Sequence, residues 1–407
     1  MRRVVQSNMV RFSILLAAFA ALSGGLRAYA AADSVKIGIL TDESGIYASV
    51  SGKGTETAVR LAVEEFGGKV LGKPIDIVIA DHKNDPDFAS KVARQWFERD
   101  GVDMITDLTD TPVALAVQAI AKDSGKIDIV TGAASPLLTG LDCSPTGFHW
   151  VYNSYALGKG AEAAVSQGDK TWFFITTESA FGAPLEDIAG GFVKQAGGKV
   201  LGSVQHPAGI SDFRSYLREA QDSGAQVIAL ADAGTDAVGL IRQAAQYGIG
   251  RGGQRIAGLL MTTSDVNALG LDLAQGMVIT TATYWDQDGD TRAWSKKYYA
   301  VMKAMPNMVQ AGSYSAVLHY LKAVQAAGTT DGAAVAKKMR EIPVNDAFFK
   351  NGIVRPDGMM QHDMYLAVVK SPGESKEPWD SLSIIQKIPG SKAFLPLDQS
   401  DCPLVAK

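Results

Sequence analysis

The chain has 407 residues, of which 46% are hydrophobic and 20% are charged, and its formal net charge is −4 at pH 7. Because a single hydrophobic core stops growing at about 250–300 residues, this length predicts two domains. The acidic balance argues against a nucleic-acid-binding protein, which needs a basic surface.

Residues 1–30 have the parts of a secretory signal peptide. Arginines precede the uncharged apolar run of residues 12–22, and residues 28–30 form the small-residue cleavage pattern Ala-Tyr-Ala. A membrane anchor is the alternative, but the run is well short of the ~20 residues that a spanning helix needs. We therefore expect a periplasmic protein whose net charge falls from −4 to −8 on cleavage, because four arginines and no acid are removed.

Cys143 and Cys402 are the only cysteines in the sequence. An even number of cysteines in an oxidising compartment favours one disulfide over two unrelated free thiols. In the chain-entropy model, closing so long a loop stabilises the fold by roughly 5 kcal/mol, which is an upper figure. We expect the bond to tie a C-terminal tail, residues 390–407, to the loop around Cys143.

In chain order, apolar runs rich in β-branched residues alternate with segments whose apolar residues recur at helical spacing. In the first half of the mature chain, this pattern predicts strands at 35–41, 75–80, 102–108 and 127–132. The helices predicted between them are 52–66, one that begins at Asp85 and Pro86, and 112–122.

After a loop that holds Cys143, the alternation begins again. It predicts strands at 171–177, 200–205, 227–232, 256–261 and 278–283, with helices at 184–195, 212–221 and 236–247. Helices at 292–304 and 313–327 could extend either half, and late strands are predicted at 349–355 and 365–369. Alternating strands and helices predict parallel sheets covered on both faces, so two series indicate an α/β fold with two doubly wound Rossmann-like lobes.

Two strand-to-helix corners are candidate binding sites, because ligands bind beyond the carboxyl ends of strands in open parallel sheets. Thr109, Asp110 and Thr111 end one strand and begin a helix, where free backbone N–H groups suit a carboxylate. Ala133 and Ser135 form the second corner, at the next strand. Ordinary helix capping explains either corner alone, whereas the two together predict an anion pocket.

Aromatic side chains at strand ends or between the lobes could clamp an apolar or aromatic ligand. The alternative for each of them is packing in the core beside the loops. These residues are Tyr47, Tyr155, Phe181, Tyr284 and Trp285.

Sequence signatures of common enzyme classes are not found. The turn after the first strand has neither the dinucleotide-binding glycine pattern nor a phosphate loop, and H-E-x-x-H, C-x-x-C and G-x-S-x-G do not occur. The five histidines lie far apart in sequence, which gives no metal-ligand spacing. We therefore expect no catalysis, no cofactor and no metal, with an enzyme using Asp42, Glu43 or Asp236 as the alternative.

Seven segments of the mature chain occur in a specific order and spacing: VKIGILTDESGIY, TAVRLAVEEFGG, LGKPIDIV, DHKNDP, AASPLLTG, ESAFGAPLED and GTDAVGLIRQAAQYGI. In this arrangement the chain resembles the type I periplasmic solute-binding proteins of ABC transporters, in the group that includes the leucine/isoleucine/valine-binding proteins. The resemblance covers nearly the whole mature chain. It implies two Rossmann-like lobes, joined by three crossings, that close on a ligand.

The resemblance also implies roles for individual residues. By position, residues 109–111 would lie in the first carboxylate-binding corner, and Ala133 and Ser135 in the second. Phe181 would occupy the place of a family aromatic, often Tyr, in the opposite lobe. Asp236 would take the place of the acid that meets the ammonium group of an amino-acid ligand.

Two departures from the leucine-type binders favour another ligand. Asp236 is shorter than their Glu, and Phe181 cannot donate a hydrogen bond. The extended C-terminus and residues 284–286 look more like a subgroup that binds aromatic carboxylates such as hydroxybenzoates and cinnamates. Asp236 could then accept a hydrogen bond from a ring hydroxyl. An aromatic acid is preferred here over a branched-chain or other amino acid, and urea or a short amide ranks third.

The expected function is therefore capture of a small carboxylate for an ABC importer. We expect a monomer that closes by a hinge and docks on a permease in the inner membrane, with a periplasmic sensor for a receptor as the alternative. The expected lobes are residues 31–152 with 287–348, and residues 153–286 with 349–389. Their crossings are expected at 151–154, 281–286 and 348–354.

Overall fold

The structure is a computed structural model that describes residues 34–166, 168, 170–249 and 253–406. The predicted signal peptide, residues 1–30, lies outside the described residues. Among the helices of the described part, none is both long and apolar enough to cross a membrane.

The first part of the described chain alternates strands and helices, as its apolar pattern predicts. The elements are β1 (Val35–Thr41), α1 (Gly52–Phe66), β2 (Lys69–Val70), β3 (Lys73–Asp81), α2 (Pro86–Gln95), β4 (Met104–Asp107), α3 (Thr111–Ser124), β5 (Ile127–Val130) and β6 (Gly147–His149). Local sequence sets the helix starts: the Asp85 carboxylate accepts hydrogen bonds from the first turn of α2, and Pro86 occupies its first position.

The first sheet has the strand order β2-β3-β1-β4-β5-β6 within the described residues. Its strands are parallel except for the short β2, which pairs antiparallel with β3. Ile37 and Ile39 of β1 have no exposed surface. The central strands are covered on both faces, as expected for a parallel sheet.

The middle of the chain builds a second series of the same kind. Its elements are α4 (Ser154–Ser166), β7 (Thr171–Thr177), α5 (Gly182–Gln195), β8 (Lys199–His206), α6 (Arg214–Asp222), β9 (Val227–Ala231), α7 (Gly234–Gln246), β10 (Arg255–Gly258), α8 (Thr263–Leu269), α9 (Leu271–Ala274) and β11 (Val278–Thr281). Strands β7 and β9 are buried along almost their whole length.

The last part of the chain contributes to both sheets. Its elements are α10 (Gly289–Met302), α11 (Met308–Ala327), α12 (Gly332–Glu341), β12 (Ile353–Val354), β13 (Met360–Gln361), β14 (Met364–Val369), β15 (Leu382–Ile388) and α13 (Gly390–Ala393). Helices α10 and α11 return to the first series and pack against α1. Strands β14 and β15 return to the second sheet.

The second sheet has the order β15-β14-β11-β10-β9-β7-β8 within the described residues. Its strands from β8 to β11 are parallel, whereas β14 runs antiparallel to both β11 and β15. The two mainly parallel sheets, with helices on their faces, confirm the predicted α/β fold class. Among the described residues, one hydrophobic cluster covers a face of the first sheet and another covers a face of the second. A third cluster is continuous and covers the remaining faces of both sheets.

Residues between α12 and β14 lie beside the first sheet. The short strands β12 and β13 pair antiparallel, Val344 forms a bridge with Gly352, and His149 forms one with Met359. The chain enters the second sheet at β14, which begins at Met364. The passage between the sheets therefore lies after Gln361 in the structure, later than residues 348–354, where the sequence analysis expects it.

The C-terminal tail is fixed to the body of the protein. Cys143 and Cys402 form the predicted disulfide, with a Cα–Cα distance of 5.7 Å, and both residues are buried. Phe394 is buried in the main core cluster, and the carbonyl oxygen of Leu395 accepts a hydrogen bond of 2.7 Å from the Arg355 guanidinium. These contacts hold the tail at points other than the disulfide.

Candidate functional site

A cavity lies where strand ends from both sheets meet. Its lining residues all follow the carboxyl ends of strands, which is where ligands bind in open parallel sheets. They are Tyr47, Val50, Thr109, Thr111, Gly132, Ala134 and Tyr152 from the first series, and Phe181, Ala233, Gly234, Leu260, Thr262 and Asp265 from the second.

The corner after β4 brings Thr109 and Thr111 to the cavity. The chain turns there because Asp107 and Leu108 both adopt positive φ, at 84° and 57°, which is uncommon for residues with a side chain. The Asp110 carboxylate caps α3 by accepting a hydrogen bond from the Val113 N–H at 3.1 Å. Since Asp110 already occupies one helix N–H, the two threonines are the polar groups that this corner offers to a ligand.

The corner after β5 lies directly against the first one. A side chain at Gly132 would meet the Thr109 Cα atom at 2.7 Å, so the two strand ends approach each other closely because Gly132 has none. Ser135 acts as a cap and accepts a hydrogen bond from the Leu137 N–H, and the Ala133 carbonyl accepts one from His149. Ala134, rather than Ala133 or Ser135, lines the cavity.

The loop after β1 holds Tyr47 against the cavity. The buried Asp42 carboxylate accepts hydrogen bonds from the backbone N–H groups of Gly45 and Tyr47, at 2.6 and 2.9 Å, and from the Asn84 amide. This turn is typical of an aspartate that bonds to the backbone following it. It fixes Ile46 and Tyr47 in position opposite the second series.

The second series supplies most of the apolar wall. Phe181 and Leu260 are both at most 7% exposed, and Ala233 and Gly234 begin α7. The polar members are Thr262 and Asp265, which form a capping box at the start of α8. One Asp265 oxygen accepts hydrogen bonds from the Thr262 N–H and hydroxyl, at 2.8 and 2.7 Å.

The electrostatics of the cavity are acidic. Among the described lining residues, Asp265 is an acid and no Lys, Arg or His is present. Burial raises the pKa of Asp265 to about 6, and it does the same for Asp107 and Asp110 behind the first wall. Burial, followed by the charges of Asp110 and other nearby carboxylates, raises the pKa of Tyr47 far above its usual range. A cationic group on a ligand would therefore be stabilised here.

Asp236 and its neighbours form a buried polar cluster next to the cavity. Potential metal-ligand atoms of His206, Asp232 and Asp236 lie within 4.8 Å of one another. However, the two His206 ring nitrogens face acceptors, the Pro207 carbonyl at 2.9 Å and Asp232 at 3.0 Å. Burial lowers the pKa of His206, but its hydrogen bonds to Asp232 and the Pro207 carbonyl and the Asp232 charge outweigh this effect and raise the pKa.

The structure brings some predicted site residues together and separates others. Tyr47, Thr109, Thr111 and Phe181 line the cavity, whereas the Asp236 carboxylate accepts a hydrogen bond from the Gly209 N–H at 2.6 Å. Asp236 does not line the cavity, and burial raises its pKa.

Three predicted aromatic residues pack elsewhere. The Tyr155 ring lies edge-on to Phe192 at 5.0 Å. Tyr284 and Trp285 belong to the core cluster of the second sheet, where both donate hydrogen bonds to the Trp379 carbonyl, at 2.9 and 2.8 Å. For Tyr284 and Trp285 the structure gives the core-packing alternative, because their polar atoms already donate to the backbone.

Sequence reasoning missed several lining residues. Leu260, Thr262 and Asp265 directly follow β10, so the rule that points to strand ends would have found them if it had been applied to that strand. Tyr152 lies between β6 and α4, in the passage from the first series to the second, and therefore follows no predicted strand directly. Its hydroxyl donates a hydrogen bond of 2.6 Å to the Gly132 carbonyl.

Comparison with known proteins identifies the family. Residues 34–375 match the family model described as periplasmic binding protein. A solved periplasmic binding protein from Burkholderia mallei is 46% identical, has a TM-score of 0.90, and covers 92% of this chain and 100% of its own. A branched chain amino acid ABC transporter periplasmic ligand-binding protein from Burkholderia xenovorans LB400 is 38% identical, with a TM-score of 0.84 and the same coverages.

More distant relatives differ in the ligands for which they are named. The leucine-, isoleucine-, valine-, threonine-, and alanine-binding protein of Pseudomonas aeruginosa is 25% identical over 81% of this chain and 88% of its own. An R. palustris ABC transporter solute binding protein in complex with benzoate is 20% identical, with a TM-score of 0.81, and covers 91% of this chain and 100% of its own. The second likeness concerns the fold alone. From the family match and the two mainly parallel sheets, this chain belongs to the periplasmic binding protein family, with the type I fold.

Proposed function

We propose that this protein is the periplasmic solute-binding component of an ABC importer, and that it binds a small organic molecule without changing it. The observation that carries the proposal is the cavity, which is walled by strand ends of both sheets. A ligand there contacts both sheets at once, which is the arrangement that hinge closure requires. The names of the similar solute-binding proteins support this function. We expect the protein to act as a monomer that docks on a permease in its closed form.

The hinge is proposed to consist of three passages between the sheets. The first two are residues 150–153 and 282–288, close to the sequence expectation. The third is proposed at residues 362–363, because the preceding β13 pairs beside the first sheet and β14 belongs to the second. Lobe 1 would then be residues 34–152 with 287–361, and lobe 2 residues 153–286 with 364–389.

The ligand class that the cavity supports best is an amino acid with an apolar side chain. Thr109 and Thr111 offer hydroxyl groups to a carboxylate, and Phe181 and Leu260 offer apolar surface to a side chain. An ammonium group would find the Asp265 carboxylate in a wall without basic side chains among the described residues. This acidity reverses the preference for an aromatic acid that the sequence alone suggests, because a lone anion gains no counter-charge here.

An aromatic carboxylate is the second candidate. Tyr47, Tyr152 and Phe181 all line the cavity, and their rings could pack against an aromatic ligand. The benzoate complex of a protein with the same fold supports this second candidate.

A thermal-shift and calorimetric screen of the mature protein tests the proposal. L-leucine, L-valine, L-alanine, benzoate and 4-hydroxybenzoate are compared, with 4-methylpentanoate as leucine without its ammonium group. A ligand at 100 times its dissociation constant stabilises the protein by about 2.7 kcal/mol. We expect L-leucine or L-valine to bind and 4-methylpentanoate not to bind. Benzoate binding without amino-acid binding would select the second candidate, and recovery of a chemically altered ligand would contradict a pure binding function.

Two matched variants identify the counter-charge. Asp265→Asn removes the acid that lines the cavity, and Asp236→Asn removes the buried acid beside it. We expect Asp265→Asn to weaken amino-acid binding about tenfold or more, as for loss of a charge-assisted hydrogen bond, and Asp236→Asn to weaken it less. The reverse order would assign the ammonium group to Asp236.

A further inference from the structure

Gly234 lies at a contact between the two series of elements, at the rim of the cavity. It begins α7 with a positive φ of 62°. A Cβ atom built on Gly234 would meet the Ile46 carbonyl oxygen at 2.3 Å and the Tyr47 ring at 3.1 Å. The first of these atoms is backbone, so it cannot be relieved by turning a side chain.

The close approach at Gly234 lets the next residue, Thr235, form a hydrogen bond to the loop after β1. The Thr235 N–H donates a hydrogen bond of 3.1 Å to the same Ile46 carbonyl. The first N–H groups of a helix have no partner within the helix, so α7 obtains one from the loop after β1. That loop is held from its own side by Asp42, whose carboxylate binds the Gly45 and Tyr47 N–H groups.

A second contact joins the two series beside the cavity. The buried Asn307 amide, at the start of α11, donates to the Val50 carbonyl at 2.9 Å and to the Ser264 hydroxyl of α8 at 3.0 Å. Val50 and Gly234 both line the cavity, so the two contacts border the same enclosed space. The Thr235–Ile46 and Asn307–Ser264 hydrogen bonds join elements of the first series to elements of the second and would be broken if the sheets separated.

We propose that Gly234 is a positioning residue for ligand binding: its missing side chain lets the Thr235 N–H reach the Ile46 carbonyl, and this backbone contact latches the closed cleft. The inference rests on the proposed solute-binding function and adds the residue on which closure depends. A side chain at 234 acts against the closed form alone, since the clashing atoms belong to the opposite series. A ligand that needs both walls therefore loses affinity in proportion to the lost closed population.

The test compares Gly234→Ala with Gly224→Ala. Gly224 also has a positive φ, 66°, but a Cβ there would meet nothing within 4 Å. Both variants carry the same kind of backbone strain, whereas Gly234→Ala alone carries the clash. The clash of the new methyl group with the Ile46 carbonyl is expected to weaken L-leucine binding by a factor of about 5 to 150 relative to Gly224→Ala. The two ligand-free variants are expected to have equal unfolding midpoints in urea. Benzoate serves as the probe if the wild type binds it instead.

Hydrogen exchange at the Thr235 amide provides a local readout, and exchange at core amides is the control for general destabilisation. The latch predicts slow exchange in the wild type and in Gly224→Ala, and fast exchange in Gly234→Ala. Equal ligand affinity in the two variants, or an unprotected Thr235 amide in the wild type, would overturn the latch. A wild type that binds no compound of the panel would instead count against the proposed function, while the Thr235 exchange still decides the latch.

Discussion

Removal of the Cys143–Cys402 disulfide should measure how much the tail contributes to stability. The bonded residues are 259 positions apart, and for a loop of this length the chain-entropy model gives about 5–6 kcal/mol. The loss is expected to be smaller, at about 3–5 kcal/mol, because measured effects usually fall below that model. Phe394 and the Arg355–Leu395 hydrogen bond also hold the start of the tail without the disulfide.

The perturbation is the double variant Cys143→Ala/Cys402→Ala, which leaves no free thiol in the chain. Unfolding in urea is followed by the fluorescence of the six tryptophans, and reduced wild-type protein serves as the matched control. Limited proteolysis should cut the variant first within residues 395–406, beyond the buried Phe394. A loss of less than about 1 kcal/mol would refute the reasoning, since the bond would then constrain the unfolded chain hardly at all.

Two buried carboxylates give further predictions. The Asp128 carboxylate is fully buried with no hydrogen-bond partner for either oxygen, and burial raises its pKa well above the usual range. The contribution of the protonated Asp128 to folding stability is therefore complete at low pH and is lost as pH rises from about 4. Asp128→Asn should thus be more stable than the wild type at pH 8, with the difference shrinking towards pH 4 in urea titrations. Asp357→Ala removes the carboxylate partner of the buried Arg355 guanidinium, which keeps its hydrogen bond to the Leu395 carbonyl, and should cost about 3–5 kcal/mol. The double variant Arg355→Met/Asp357→Leu should recover most of the loss.

The strands that sequence reasoning predicted best are those buried on both faces. Val35–Thr41 and Thr171–Thr177 agree at both ends, because a short apolar β-branched run has no competing helical pattern. Leu382–Ile388 was not predicted: its middle residues face solvent on an edge strand, so its apolar residues do not alternate regularly. The return of β14 to the second sheet is a long-range pairing that no local pattern encodes.

For the candidate site, the position of each corner could be predicted, but not the direction of each side chain. Thr109 and Thr111 line the cavity because they follow a parallel strand, a relation that the alternation of elements already contains. Asp236 also follows a parallel strand, β9, yet it lies on α7 with its carboxylate towards Gly209. Which face of a helix turns to a ligand depends on packing between distant segments, as the burial of Tyr284 and Trp285 against Trp379 also illustrates.

The antiparallel pairing of β14 with β11 has a consequence for the order of events in folding. Strands β7 to β11 can associate early, but the β11 edge keeps unpaired N–H and C=O groups until residues 364–388 arrive. Pairings between distant segments form slowly, and open strand edges invite association with other chains. Helices α10 and α11 lie between β11 and β14 in the chain and pack against α1, so the second sheet is completed only when nearly the whole chain is present. Until then, its open β11 edge is exposed to aggregation.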